Sequence, residues 1–389
     1  MTRMTKLISP LFVFALIGLL PNVIASQSKH TESRTSIHSH SDSDSQESNN
    51  WNWHHVDNDI DLHVSIRGRV EFTDDYADIK SITSGGSIRI VDSKGSVTRK
   101  FEASPGADGL KRAYWVNGQS APFNDDARAW LAKVLDDTVR KSGYDAPARV
   151  QRILSQSGPR GVLAEISQLG SDYVKRIYFD ALLDQGNLDA DTARLALQQA
   201  GREMTSDYEK AQLLIKMSER YLTSDEMRTI YLEGVNTLHS DYEKGRAIAS
   251  LLKQGNLGRD ALRFTITSAA TIHSDYERAQ LLVKIADRFT LDEIAQSAYL
   301  QAVTSIGSDY EKGRVLAAFL KRNNASRDTL LFMLKSASSL ASDYEKAQLL
   351  LKVAAAGSSD DAVRTALIDA ARSIHSEYER GRVLSAVIK

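Results

Sequence analysis

The chain has 389 residues, more than one small core needs and enough for two structural units. Hydrophobic residues make up 42% and charged residues 25%, with a formal net charge of −1, so no basic excess points to nucleic acid. Cysteine is absent, which excludes a disulfide framework, a thiolate metal site and a cysteine nucleophile.

The N-terminus reads as a secretory leader over residues 1–25. Arg3 and Lys6 form a basic start, Leu7 to Leu20 is apolar, and Val23-Ile24-Ala25 offers cleavage after Ala25. The apolar stretch contains Pro10 and is shorter than the ~20 residues that cross a bilayer. A periplasmic or secreted product is expected, with no stable membrane insertion once the leader is removed.

Residues 26–58 are rich in serine, histidine and aspartate and carry little that could form a core, so a disordered linker is expected. His30, His38, His40, His54 and His55 could ligate a transition metal, but their spacing matches no structural zinc site. The tract therefore reads as solvated, and no metal or cofactor is assigned. Trp51 and Trp53 mark where order begins.

From residue 59 the period becomes two. Leu62, Val64, Ile66, Val70 and Phe72 alternate with polar residues around Gly68, and Ile88-Arg89-Ile90 and Val97–Phe101 flank Lys94-Gly95. Asn117-Gly118 tolerates positive φ at both positions and signals a hairpin. The pattern predicts an antiparallel sheet of four to six strands. Asp125 to Lys141 then places Ala127, Trp130, Leu131, Val134, Leu135 and Val139 at helical spacing behind a possible N-cap, Asn124. That helix is expected to cover the sheet, closing a small domain over 59–143.

Residues 144–389 carry a repeat. Ser-Asp-Tyr or a near variant starts at Ser171, Ser206, Ser240, Ser274, Ser308, Ser342 and Ser376, first 35 and then 34 residues apart. A fixed period in this range means stacked supersecondary units. Each reads as a helix hairpin. Its first helix opens on a capping box, Ser206/Glu209, Ser240/Glu243, Ser274/Glu277, Ser308/Glu311, Ser342/Glu345 and Ser376/Glu379, in which serine and glutamate cap each other's backbone N–H. In the second helix, Met227, Ile230, Tyr231, Val235 and Leu238 are expected inside. Repeats at 206, 274 and 342 continue Ala-Gln, whereas those at 240, 308 and 376 continue Gly-Arg, so the full period is a pair of hairpins. The 171 repeat departs with Val174 and Arg176, residues 148–170 form a degenerate unit, and 376–389 a final half-repeat. Glycine costs roughly 1 kcal/mol within a helix, so Gly245, Gly313 and Gly381 are expected to let neighbouring helices approach. The expected fold is mainly α: an α-α superhelix, a solenoid of 34-residue hairpins in the HEAT/TPR manner, behind the small antiparallel domain.

The Trp, Leu-Gly, Tyr and Pro marks of tetratricopeptide repeats are missing. With Ser-Asp-Tyr-Glu-Lys, Gly85-Gly86 and Arg176-Ile177-Tyr178, the chain from residue 59 onward resembles uncharacterised secreted bacterial proteins with a small β domain and Ser-Asp-Tyr-Glu helical repeats. Similar repeats follow membrane-bound regulatory metallopeptidases of the β-lactam-sensor type. The resemblance implies an envelope location and a signalling context, and it carries over no catalytic residues. No His-Glu-x-x-His motif is present.

Stacking turns each repeated position into a ladder. Tyr208, Tyr242, Tyr276, Tyr310, Tyr344 and Tyr378 form one, which either packs on the adjacent repeat or presents an aromatic stripe to a peptide or glycan. Arg246, Arg314 and Arg382 form another, which either pairs with the glutamate three residues earlier or binds an acidic or extended partner. His239, His273 and His375 precede caps and read as exposed loop residues. The expected function is a non-catalytic scaffold for a protein or peptide partner, with Tyr208, Tyr242, Tyr276, Tyr310, Tyr344, Arg246, Arg314 and Arg382 as candidate contacts. The alternatives are binding of carbohydrate or envelope polymer, or a hydrolase with an unrecognised site.

Overall fold

The computed structural model describes residues 34–40, 50–57, 59–323, 325–357 and 359–388. The leader, its cleavage site and His30 lie outside the described residues. The described residues divide into two compact units, those up to Val70 together with 81–123, and 71–80 together with those from Asn124 onward.

The sheet unit holds a seven-stranded antiparallel sheet built from β1 (Arg34–His40), β2 (Asn50–Asp57), β3 (Ile60–Arg67), β6 (Ser87–Lys94), β7 (Val97–Gly106), β8 (Gly109–Val116) and β9 (Gln119–Ser120), hydrogen-bonded in that order. A separate two-stranded ribbon is formed by β4 (Val70–Phe72) and β5 (Ile79–Ile82). The expected alternation is present: Leu62, Val64, Ile66, Ile88, Ile90 and Phe101 are buried. Asn117 and Gly118 both take positive φ, 49° and 80°, where β8 turns into β9.

Two expectations need correction. The sheet has more than four to six strands, because it extends into the tract read as a disordered linker. Serine and histidine dominate that tract's average composition, which hides the alternation of β2. Trp53 and His55 are buried while His54 between them is not. The division also falls after Phe123. The helix α1 (Asp125–Ser142), expected with the sheet, belongs to the helical unit, where it packs against α3 (Asp172–Gln185). Its N-cap is as expected, the Asn124 side chain accepting from the Ala127 N–H at 3.1 Å.

In the helical unit, α2 (Ala146–Ile166) occupies the place of the degenerate repeat and is broken at Gly158, which precedes Pro159. The hairpins follow as α3 with α4 (Ala190–Glu203), α5 (Asp207–Ser218) with α6 (Asp225–Asn236), and α7 (Asp241–Leu252) with α8 (Arg259–Ala270). Next come α9 (Asp275–Arg288) with α10 (Glu293–Thr304), α11 (Asp309–Arg322) with α12 (Arg327–Ser338), and α13 (Asp343–Gly357) with α14 (Asp361–Arg372), before α15 (Glu377–Ile388). Odd-numbered helices pack on the odd helix of the next repeat, and even helices α4, α6, α8 and α10 pack likewise. This produces two layers with a continuous apolar core between them. In α9 the core stripe is Ala279, Leu282, Ile285 and Ala286, spaced to face one side of a helix. Met227, Ile230, Tyr231, Val235 and Leu238 of the 206 repeat are all buried, as the periodicity predicts.

Candidate functional site

The repeated motif separates into residues that join one repeat to the next and residues that face solvent. The aspartate joins. Asp172, Asp207, Asp241, Asp275, Asp309 and Asp343 each accept from the backbone N–H of the next repeat's capping serine at 2.6–2.9 Å. The same carboxylate accepts from the preceding N–H, on Thr205, His239, His273, Gly307, Ala341 and His375 in turn, at 2.6–3.1 Å. Bonds to a carboxylate are charge-assisted, and the anion also sits at the positive end of the next helix. For Asp241 burial pushes the carboxyl up, but the His273 and Ser274 N–H bonds prevail and hold it below its ordinary range. For Asp343 the Ser376 N–H bond is the largest cause of the same lowering.

This clamp corrects the capping-box expectation. The serine half exists: Ser206, Ser240, Ser274, Ser308, Ser342 and Ser376 each accept from the N–H three residues on, at 3.3–3.4 Å. The glutamate half does not, because the aspartate of the preceding repeat already holds the serine N–H. Glu243, Glu311 and Glu379 instead accept from Arg246, Arg314 and Arg382 at 2.7–2.8 Å. The within-repeat pairing of the arginines is thus present.

The base that follows the glutamate braces its own hairpin, a role that sequence reasoning did not single out. Lys210, Lys244, Arg278 and Lys346 are buried bases. They reach the turn 27 residues later, on Thr237, Thr271, Ser305 and Ser373. Burial, opposed by Asp207 and Asp172, holds the Lys210 ammonium below its ordinary pKa. The period contained this signal, since a base recurs at one place in every repeat.

The small position has a different reason from the one expected. A side chain at Gly245 or Gly313 would first meet the carboxylate of Glu277 or Glu345 in the next repeat, at 3.3 and 3.4 Å, rather than a neighbouring helix backbone. Arg176, which replaces the small residue in the 171 repeat, follows the same geometry and donates to Glu209 of the next repeat and to Asp180.

Tyrosine is the motif residue that stays most open to solvent. Tyr173, Tyr208, Tyr242, Tyr276, Tyr310, Tyr344 and Tyr378 are 41–74% exposed. The aromatic rings of the core are others, among them Tyr178, Tyr231 and Tyr299 at 0%. Each tyrosine thus keeps a solvent-facing ring surface, the feature that the stripe reading of the ladder requires. Arg176, Arg246, Arg314 and Arg382 lie 5.6–5.9 Å from the ring centres of Tyr173, Tyr242, Tyr310 and Tyr378, within cation–π range.

Tyr310, Arg314, Ala317 and Lys321 recur at helical spacing along one face of α11. Around the last three lies an open groove of about 630 Å³, bordered also by Val283 and Asp287 of α9 and Lys352 of α13. Arg314 is already paired with Glu311, and Lys321 and Lys352 outnumber the single lining acid Asp287, so the groove is basic and partly apolar.

His239, His273 and His375 are more than 90% exposed and stand 3.6–3.7 Å from the clamp aspartates of the preceding repeat. Their loop position is as expected, and the bond they supply comes from the backbone. Elsewhere in the helical unit, Tyr76 on the 71–80 hairpin is buried beneath Arg149 and Arg152, 4.6 and 4.5 Å from its ring centre. Asp145 accepts from Arg152 at 3.1 Å and Glu165 from Arg149 at 2.7 Å. Burial, then Asp145, push the Tyr76 hydroxyl pKa well up, so this cluster holds the hairpin to α2 with the phenol protonated. Among the described residues, one group has metal-ligand chemistry within reach, His54, Asp61 and His63 in the sheet unit.

The geometry defines a class: an α-solenoid of clamped helix hairpins with an exposed tyrosine ladder, accompanied by a small antiparallel sheet. No protein-family model, curated protein or solved structure matches the chain.

Proposed function

We propose that the protein is an exported, non-catalytic scaffold of the bacterial envelope that holds an extended protein or peptide partner along the tyrosine ladder. The observation that carries this reading is the exposure of seven tyrosines at one motif position, while serine and aspartate are occupied in joining repeats and the following base in bracing its own hairpin. Tyrosine buries a large apolar area at a low cost in side-chain freedom and is enriched where binding energy concentrates. Packed helices lie ~8–10 Å apart, which is about three residues of extended chain, so successive rings can meet every third residue of a partner. The basic groove beside Arg314 favours a partner that carries acidic residues. Export rests on the leader pattern, and the signalling context on the resemblance to envelope repeat proteins.

Crosslinking with mass spectrometry on envelope extract tests this reading. A stoichiometric protein partner, lost in a Tyr242→Ala/Tyr276→Ala/Tyr310→Ala variant that still folds, is the expected result. Recovery of glycan alone would support an envelope-polymer binder instead. Substrate turnover abolished by one point mutation would establish a hydrolase.

A further inference from the structure

The sheet unit carries side-chain chemistry that the scaffold reading does not use. His54 on β2 lies directly opposite His63 on β3 in the strand register, and Asp61 lies two residues from His63. Residues two apart on a strand share a face, so β3 offers a carboxylate and an imidazole together, and β2 brings a second imidazole across. The His54 Nε2 is 3.0 Å from Asp61 Oδ1, and the His63 Nε2 is 3.1 Å from the same oxygen. The two rings stack with centres 3.7 Å apart. Asp61 and His63 are exposed and His54 is half-buried, so an ion and its water ligands have access.

From these positions we infer that His54, Asp61 and His63 form a surface site for a divalent transition metal of the zinc class. Neutral imidazole and carboxylate are suitable ligands for such ions. Bonds of about 2.0–2.1 Å in a tetrahedron place neighbouring ligand atoms ~3.3 Å apart. The three candidate atoms already lie within 4.8 Å of one another, two of the separations being 3.0 and 3.1 Å. Rotation of the histidine side chains is enough to aim both nitrogens at a shared ion. Asp61 now draws both histidines to one oxygen, and the ion would take over that role. Three protein ligands leave a coordination position for water or for a donor group of another molecule. The register partners of Asp61 and His63 on their outer sides, Val56, Ser93 and Val91, bring no second carboxylate.

Zinc chloride titrated calorimetrically into the full chain provides the test, read beside thermal unfolding with and without zinc. The expected result is a saturable step of one equivalent that is weakened at least tenfold by His63→Ala and by Asp61→Asn. His38→Ala/His40→Ala should leave that step in place. Zinc should raise the unfolding temperature of the parent chain more than that of the His63→Ala variant, whose metal-free melt should match the parent's because the side chain is exposed. Absence of a saturable step overturns the site. So does a step indifferent to His63→Ala and Asp61→Asn, or one that disappears only with His38 and His40, which would move the ion to the Ser/His tract.

Discussion

The helical unit and the sheet unit join neighbouring elements by different means. Between helix hairpins one device is repeated: an aspartate of one repeat holds two N–H groups of the next, and this occurs at six successive junctions. In the sheet each strand pair has its own register and its own side-chain partners, and His54 meets His63 only because β2 and β3 pair as they do. A repeated residue is therefore ambiguous until its environment is known. Asp207 and Tyr208 recur with equal regularity, yet one is a joint and the other faces solvent. In the sheet the ambiguity is reversed, since residues that look unrelated along the chain become one cluster.

The sharpest way to break this comparison is to truncate tyrosines of the two environments. Tyr299 is fully buried and donates to the carbonyls of Leu282 or Val315, each 3.1 Å away. Tyr299→Ala should lower stability by about 3–5 kcal/mol, the range for emptying a large aromatic site. Tyr276→Ala should stay within ~0.5 kcal/mol, as for an exposed residue without a structural role. Denaturant unfolding of the two variants side by side checks both. A large loss from Tyr276→Ala would return the ladder to a packing role.

The clamp comes next in size. Asp241→Ala leaves the His273 and Ser274 N–H groups without their carboxylate and should cost about 1–3 kcal/mol. Asp260 also lies in the first turn of its helix, α8, but its side chain is 90% exposed, so Asp260→Ala should be nearly neutral. Equal effects in thermal melts would show that the aspartate stabilises its own helix rather than the junction.

A smaller effect is expected at the alternating glycine. An added methyl at Gly381 meets nothing within 4 Å, so Gly381→Ala should stabilise by about 0.5–1 kcal/mol. At Gly245 the methyl lies 3.3 Å from the Glu277 carboxylate and the gain should shrink or vanish, while Gly313→Leu should lower the melting temperature. Matching gains at Gly381 and Gly245 would remove the carboxylate as the reason for glycine.

The pH dependence is the mildest expectation. Asp241 and Asp343 have carboxyls held below their ordinary value in the folded chain. Their contribution is complete above the unfolded value, ~3.9, and is lost as pH falls through the lower folded values. Stability should therefore decline below about pH 4, and more shallowly in Asp241→Asn/Asp343→Asn. An unchanged acid slope would place the titrating groups elsewhere.

Helix hairpins, their starts and the paired period were legible in the sequence, because serine caps and apolar spacing act over a few residues. What was missed acts over 27 to 34 residues. Ser206 and Glu209 looked like a reciprocal pair because the competing acceptor, Asp172, belongs to the preceding repeat. The linker expectation failed at β2 for a related reason. Trp53 and His55 are inward only once β3 lies beside them, and average composition carries no record of that pairing. Of the candidate contacts, the sequence placed the tyrosines and arginines at the right motif positions. Only the structure shows that the tyrosines face solvent and that the arginines are already paired with glutamate.

The central claim is that the odd-helix layer, through its tyrosines, is the binding face. A photo-crosslinking residue placed at Tyr276 on α9, compared with one at the exposed Thr267 on α8 of the other layer, tests it most directly. A partner captured from Tyr276 and not from Thr267 is the expected result. Capture from Thr267 alone, or equally from both layers, would contradict it.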